Sequence, residues 1–117
     1  MASKVLVIDD SALVRHQVAR ALAAAGFGII EATDGIDGLA KLEANTDVAL
    51  VLCDVTMPRM NGIEFLENMP PSCSVVMLTT EGRPEVMQRA KALGAKGWII
   101  KPFKPELLIA SVRKLVM

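Results

Sequence analysis

Two near-continuous apolar runs, Val5-Leu6-Val7-Ile8 and Val48-Ala49-Leu50-Val51-Leu52-Cys53, stop abruptly on carboxylates, Asp9-Asp10 and Asp54. A strand that is apolar on both faces must be covered on both, the condition of a parallel sheet between two helical layers. The rest of the chain keeps that alternation. Ser11 can cap a helix whose apolar positions Val14, Val18, Ala21, Leu22 and Ala25 follow helical spacing, and Gly26 stands where it stops. Ile29 to Ala32 reads as a strand, Ile36 to Ala44 as a helix, and Ile63 to Asn68 as a short helix after the Val48–Cys53 run. Ser74 to Leu78 is a fourth strand, Pro84 to Leu93 a helix ended by Gly94, and Trp98 to Ile100 a fifth strand. Pro105 fits the first position of a last helix reaching almost to Met117. Five strands and five helices in alternation predict a doubly wound α/β fold, one domain over residues 1–117.

Composition narrows the function. Three Phe, one Trp and no Tyr argue against a stacking platform for single-stranded nucleic acid, and a net charge of zero gives general nucleic-acid or polybasic membrane binding no support from bulk electrostatics. No apolar run approaches the ~18 residues of a membrane span, and Met1-Ala2-Ser3-Lys4 is no secretion signal. Cys53 and Cys73, twenty positions apart with a single His in the chain, form neither a zinc motif nor a disulfide framework. Both read as buried free thiols in a reducing cytoplasm.

The polar residues at the strand ends fall at one edge. Asp9 and Asp10 close the first strand, Asp54 the third, Thr79 and Thr80 the fourth and Lys101 the fifth. In open parallel sheets ligands bind outside the carboxyl ends of the strands, where strand order reverses. Three carboxylates at adjacent strand ends repel, each pair by about 3 kcal/mol at about 5 Å and an effective dielectric near 20. Protons or a cation must relieve this. Oxygen ligands without His or Cys point to Mg²⁺ or Mn²⁺, which leave positions open for a phosphate oxygen. Lys101 supplies a point charge and Thr79 a hydroxyl donor for that phosphate, and Asp54 is the carboxylate placed to attack it. Taken singly, Asp-Asp after a strand is usually a capping turn and Lys-Pro an ordinary turn. Their coincidence at successive strand ends favours the chemical reading.

With Asp9-Asp10, Asp54-Val55-Thr56-Met57-Pro58 followed by Asn61-Gly62, Thr79 and Lys101-Pro102-Phe103 at these places, the sequence resembles the receiver domain of two-component response regulators. The resemblance covers essentially the whole chain and is to the single-domain, chemotaxis-type (CheY-like) form. It implies a flavodoxin-like sheet of order 2-1-3-4-5. It implies that Asp54 accepts a phosphoryl group from a sensor histidine kinase or phosphotransfer protein. Asp10 and Asp54 would hold Mg²⁺ directly, with the main-chain carbonyl of Thr56, and Asp9 through water. Lys101 and Thr79 would bind the phosphoryl oxygens. Thr79 would then move inward and Trp98 rotate, altering the fourth helix, fifth strand and fifth helix, where a downstream protein docks. The Lys101-Pro102 peptide matches the family's cis bond.

The resemblance puts Thr56, Thr80 and Glu81 at the positions that would tune the rate. Thr80 is bulkier than the family's frequent Ala or Gly, narrowing access to the phosphate. Trp98 replaces a more usual Tyr or Phe, and its larger ring buries less readily. The expected protein is a monomer or weak phosphorylation-dependent dimer that turns over only its own aspartyl phosphate and is no classical enzyme. A messenger to a motility machine, a relay shuttle, a phosphate sink and the receiver of a longer regulator all fit. The enzyme alternative, an aspartate-nucleophile phosphatase of the haloacid dehalogenase type, wants a second Asp two positions after the nucleophile, where this chain has Thr56. Ser111-Val112-Arg113-Lys114 and Gly26-Phe27-Gly28 lack the companions that acyl-serine or dinucleotide chemistry would need, and His16, beside Gln17 on the polar face of the first helix, is expected at the surface rather than in phosphotransfer.

The zero net charge is a sum of two unequal parts. Residues 1–54 hold eight acids and four bases, residues 55–117 five acids and nine bases. Within 83–117 there are eight bases and two acids, so the segment that the resemblance assigns to output is strongly basic.

Overall fold

The computed structural model describes residues 3–70, 72–80 and 82–116. Strands β1 (Lys4–Ile8), β2 (Gly28–Ala32), β3 (Val48–Cys53), β4 (Val75–Thr79) and β5 (Gly97–Ile100) alternate with helices α1 (Ala12–Ala24), α2 (Gly35–Ala44), α3 (Gly62–Asn68), α4 (Pro84–Ala92) and α5 (Pro105–Val116). The sheet is parallel throughout, in the order β2-β1-β3-β4-β5.

The three central strands divide their side chains between two cores, because successive side chains of a strand point to opposite faces. Val5 and Val7 of β1, Leu50 and Leu52 of β3, and Val76 and Leu78 of β4 pack with Val18 and Leu22 of α1 and Leu108 and Val112 of α5. Their alternates Leu6, Ile8, Val51, Cys53, Val75 and Met77 pack with Leu42 of α2, Phe65 and Leu66 of α3 and Ala90 of α4. Helices therefore cover both faces, as the unbroken apolar runs require. Gly38 lets α2 lie tightly on β1: a Cβ there would collide with Ile8 and press on Phe65.

The local signals act as read. The Ser11 side chain accepts from the Val14 N–H, and Gly26 leaves α1 with φ 99°. Element limits shift by a residue or two. Thr79 is the last residue of β4 rather than the first beyond it, and β2 and β5 begin on glycines. Cys53 is buried, but Cys73, expected to be buried, is only half so. It lies in the connection between α3 and β4, at the margin of the core that Phe65, Leu66 and Val75 fill. No helix among the described residues is long and apolar enough to cross a membrane.

Candidate functional site

The β1–β3 ladder continues one bond past Ile8, whose carbonyl accepts the Asp54 N–H at 3.0 Å, and the Asp9 N–H in turn reaches the Ala32 carbonyl at 3.1 Å. Asp9 and Asp54 are thus delivered side by side by the sheet itself, 2% and 7% exposed. Asp10, one residue on, is exposed, and one carboxylate oxygen from each of the three lies within 4.8 Å of the others. Such a set offers only hard oxygen donors and suits Mg²⁺ or Mn²⁺ rather than a thiolate- or imidazole-bound metal.

Lys101 reaches the cluster from the far strand. Its Nζ donates to Asp9 Oδ2 at 2.6 Å and to Asp54 Oδ2 at 3.3 Å. Its backbone is held by the Lys101 N–H, which donates to the Thr79 carbonyl at 2.9 Å. The following Lys101-Pro102 peptide is cis, as the resemblance implied. Burial pushes the Asp9 carboxyl above the ordinary aspartate range, against the pull of its Lys101 and Ser11 hydrogen bonds. Burial also opposes the Lys101 ammonium, but the Asp9 hydrogen bond and the Asp54 charge outweigh it and raise the Lys101 pKa. Both partners of one ion pair thus hold their protons more tightly. Asp9 loses more by desolvation than one shared ammonium returns, whereas Lys101 gains from two carboxylates at once.

The remaining sequence-chosen residues differ in how they relate to this centre. Thr79 is fully buried at the end of β4, and Thr80 and Thr56 are exposed. The Thr56 N–H donates to Asp54 Oδ1 at 3.4 Å, so Thr56 sits against the Asp54 carboxylate. Trp98 pairs with Met77 in the β4–β5 register and is half-buried against the core beneath α2, α3 and α4. Glu81 lies outside the described residues. The Cys53 thiol beside Asp54 donates to the Asp54 carbonyl at 3.3 Å, and burial raises its pKa well above the usual thiol value. It stays protonated and offers no second nucleophile. His16, expected at the surface, is 62% exposed with Nε2 3.6 Å from Glu31.

Sequence reasoning missed the groups that fasten the acidic loops. Arg15 Nη1 donates to the Asp9 carbonyl at 2.8 Å while its Nε pairs with Glu31 Oε1 at 3.0 Å. Arg59 pairs with Asp34, the cap of α2. The cap was readable from Asp34-Gly35-Ile36-Asp37; the two arginines carry no local signal. Beside Lys101 a groove of about 650 Å³ opens between α1 and the start of α5, lined by Val14, Gln17, Thr80 and Phe103 among others.

Residues 5–113 match the model of the response regulator receiver domain. The chemotaxis protein CheY of Treponema pallidum is 39% identical over 119 residues, covering 95% of this chain and 83% of that one. CheY1 of Helicobacter pylori is 36% identical over 112 residues, covering 90% of each. Among solved structures, CheY4 of Vibrio cholerae superposes with a TM-score of 0.90 at 38% identity, covering 98% of this chain and 99% of that one. A chain of the CheX–CheY–BeF3–Mg²⁺ complex from Borrelia burgdorferi superposes with a TM-score of 0.93 at 28% identity, covering 98% of this chain and 90% of that one. With the fold, the acidic edge and these relatives in agreement, the chain belongs to the response regulator receiver domains, in their CheY-like form: a phosphorylation-regulated switch of two-component, chemotaxis-type signalling.

Proposed function

We propose that Asp54 is the phosphoacceptor and that a sensor histidine kinase or phosphotransfer protein is the donor. The observation that carries this reading is the Lys101 ammonium held between Asp9 and Asp54 at the rim of three converging carboxylates. An Asp54 carboxylate oxygen attacks the phosphorus of the donor's phosphohistidine, the P–N bond breaks, and the imidazole leaves with the electron pair. The product is an acyl phosphate on Asp54. Lys101 is placed to follow the new negative charge, exchanging a carboxylate for a phosphoryl oxygen, and the Thr79 hydroxyl supplies a second donor. Asp10, Asp54 and the Thr56 carbonyl would hold Mg²⁺ or Mn²⁺, with Asp9 contributing through water. Bound there, the cation would supply positive charge against the phosphoryl oxygens. The Mg²⁺ and BeF3 of the Borrelia burgdorferi complex support the same chemistry here.

The readout runs through Thr79 and Trp98 to the face formed by α4, β5 and α5. Ile100 and Leu107 are 47% and 62% exposed there, alongside Lys91, Lys96 and Lys104. An apolar patch in a basic field suits a target segment that is acidic and amphipathic, bound in the phosphorylated state and released by salt. We place the protein in the cytoplasm as a monomer or weak phosphorylation-dependent dimer, acting without nucleic acid or membrane contact. Thr80 and Glu81, with Thr56, would set the lifetime of the phosphoryl group.

A small phosphodonor with Mg²⁺ should add one phosphoryl group, mapped to Asp54 by mass spectrometry. Labelling that persists in Asp54→Asn, or that survives chelation, overturns the assignment. A phosphoryl half-life of minutes supports a messenger, and one of seconds or less a phosphate sink.

A further inference from the structure

The loop from Asp54 to Asn61 is tied to the start of α2 by contacts that none of these roles uses. Asp34, 3% exposed, caps α2 through Oδ1, which accepts the Asp37 N–H at 2.8 Å. Its other oxygen accepts Arg59 Nε at 2.6 Å and lies 2.5 Å from Arg59 Nη2. Next to this pair the Gly35 N–H donates to the Met60 carbonyl at 3.0 Å, and a Cβ on Gly35 would stand 2.8 Å from that oxygen. The two backbones therefore touch at a place where no side chain fits between them. At its other end the loop is closed by the Gly62 N–H on the Val55 carbonyl at 2.8 Å.

Arg59 itself has φ 64°, alone among the described non-glycine residues in lying on the positive side. That region is unfavourable for any residue with a Cβ and persists where the surroundings hold it. Arginine has no short side chain to stabilise the conformation locally, as Asn or Asp would. The Met60 N–H on the Pro58 carbonyl at 2.8 Å closes a tight turn around Arg59, and the pair with Asp34, whose carboxyl is kept below the ordinary aspartate range, braces that turn from the start of α2. Burial opposes the lowering, but the Asp37 N–H and the Arg59 guanidinium outweigh burial. The apex of the loop is thus pinned three residues beyond Thr56.

We infer that Arg59 is a positioning residue for the divalent cation: its pair with Asp34 fixes the loop that presents the Thr56 carbonyl. The inference rests on the metal assignment proposed above. Arg59 touches neither the cation nor the phosphoryl group; it acts by keeping one oxygen ligand in place, the kind of outer contact whose loss costs metal affinity. Asp34 is its anchor, and the two act as one unit.

The test is calorimetric titration of the whole chain with MgCl₂ for the wild type, Arg59→Gly, Asp34→Asn and the double variant. Glycine accepts φ 64° without strain, and asparagine caps a helix about as well as aspartate, so both changes spare the fold while breaking the pair. Each single variant is expected to bind Mg²⁺ about tenfold more weakly, and the double variant no more weakly than either. Raising Mg²⁺ should return their rate of phosphorylation by a small phosphodonor to the wild-type rate. Variants that bind Mg²⁺ as the wild type does overturn the inference while leaving the metal assignment standing, as do effects that multiply in the double variant. A wild type that binds no Mg²⁺ overturns the metal assignment itself, and the inference with it.

Discussion

Replacing Asp10 by Asn should stabilise the metal-free protein while removing its response to Mg²⁺. Among the described residues Asp10 has no cationic partner; Lys101 serves Asp9 and Asp54. Its charge is therefore repelled by two carboxylates whose oxygens lie within 4.8 Å, and the Lys101 ammonium beside them offsets only part of that repulsion. At that distance a pair of like charges costs about 3.5 kcal/mol at an effective dielectric of 20 and about 0.9 kcal/mol in bulk water. Because Asp10 is exposed, the lower figure governs, and two such pairs give about 1–2 kcal/mol. Asparagine keeps the shape and removes the charge. Urea unfolding in EDTA, followed by far-ultraviolet dichroism, reads the change directly, since about 1–2 kcal/mol at a slope of about 1–3 kcal/mol per molar moves the midpoint visibly. Sodium chloride should narrow the gap between variant and wild type by screening the repulsion. In Mg²⁺ the order should reverse, because a bound cation stabilises the native state only where its ligands remain. A variant destabilised in EDTA, or one that still gains stability from Mg²⁺ as the wild type does, refutes the reasoning.

Other perturbations separate packing from electrostatics. Lys101→Met strands Asp9 and Asp54 without their shared ammonium and should cost about 3–5 kcal/mol in EDTA, with part of the loss returned by Mg²⁺. Lys101 has a folded pKa raised above its ordinary value near 10.5. Its stabilising contribution is therefore complete below that value and is lost as pH rises through the folded pKa. Wild-type stability should fall on alkaline titration, and the fall should be smaller in Lys101→Met. Leu6→Ala removes a fully buried side chain from the core facing α2 and α3. It should cost about 2–5 kcal/mol in any buffer, with no dependence on Mg²⁺. Gly62→Ala would set a Cβ against the Asp54 carbonyl. It should lower the phosphorylation rate as well as stability, measured by phosphodonor kinetics beside thermal melts.

What was legible in the sequence was whatever depends on short range. The runs ending on Asp9 and Asp54 had to be strands buried on both faces, and their ends had to meet at one edge once the sheet was parallel. That placed Lys101 and Thr79 at the same edge without knowledge of a single contact. The Lys101 pair with Asp9 joins residues 92 apart in sequence, yet it follows from topology. The fastening groups do not. Arg15 is an ordinary helix residue until β2 brings Glu31 beneath it, and Arg59 an ordinary loop residue until α2 offers the spare oxygen of its cap. Such contacts depend on the spacing of neighbouring elements, which no window of sequence encodes. Cys73 was misjudged for a related reason: its apolar character says that it can be buried, not that the α3–β4 connection passes fully under cover.

The most direct measurement is a crystal structure with Mn²⁺ and beryllofluoride, the ion located by its anomalous scattering. The expected result puts Mn²⁺ on Asp10, Asp54 and the Thr56 carbonyl, and beryllium on an Asp54 oxygen with Lys101 and Thr79 reaching its fluorides. An ion bound elsewhere, or beryllofluoride absent from Asp54, would contradict the assignment of this edge as the metal and phosphoryl site.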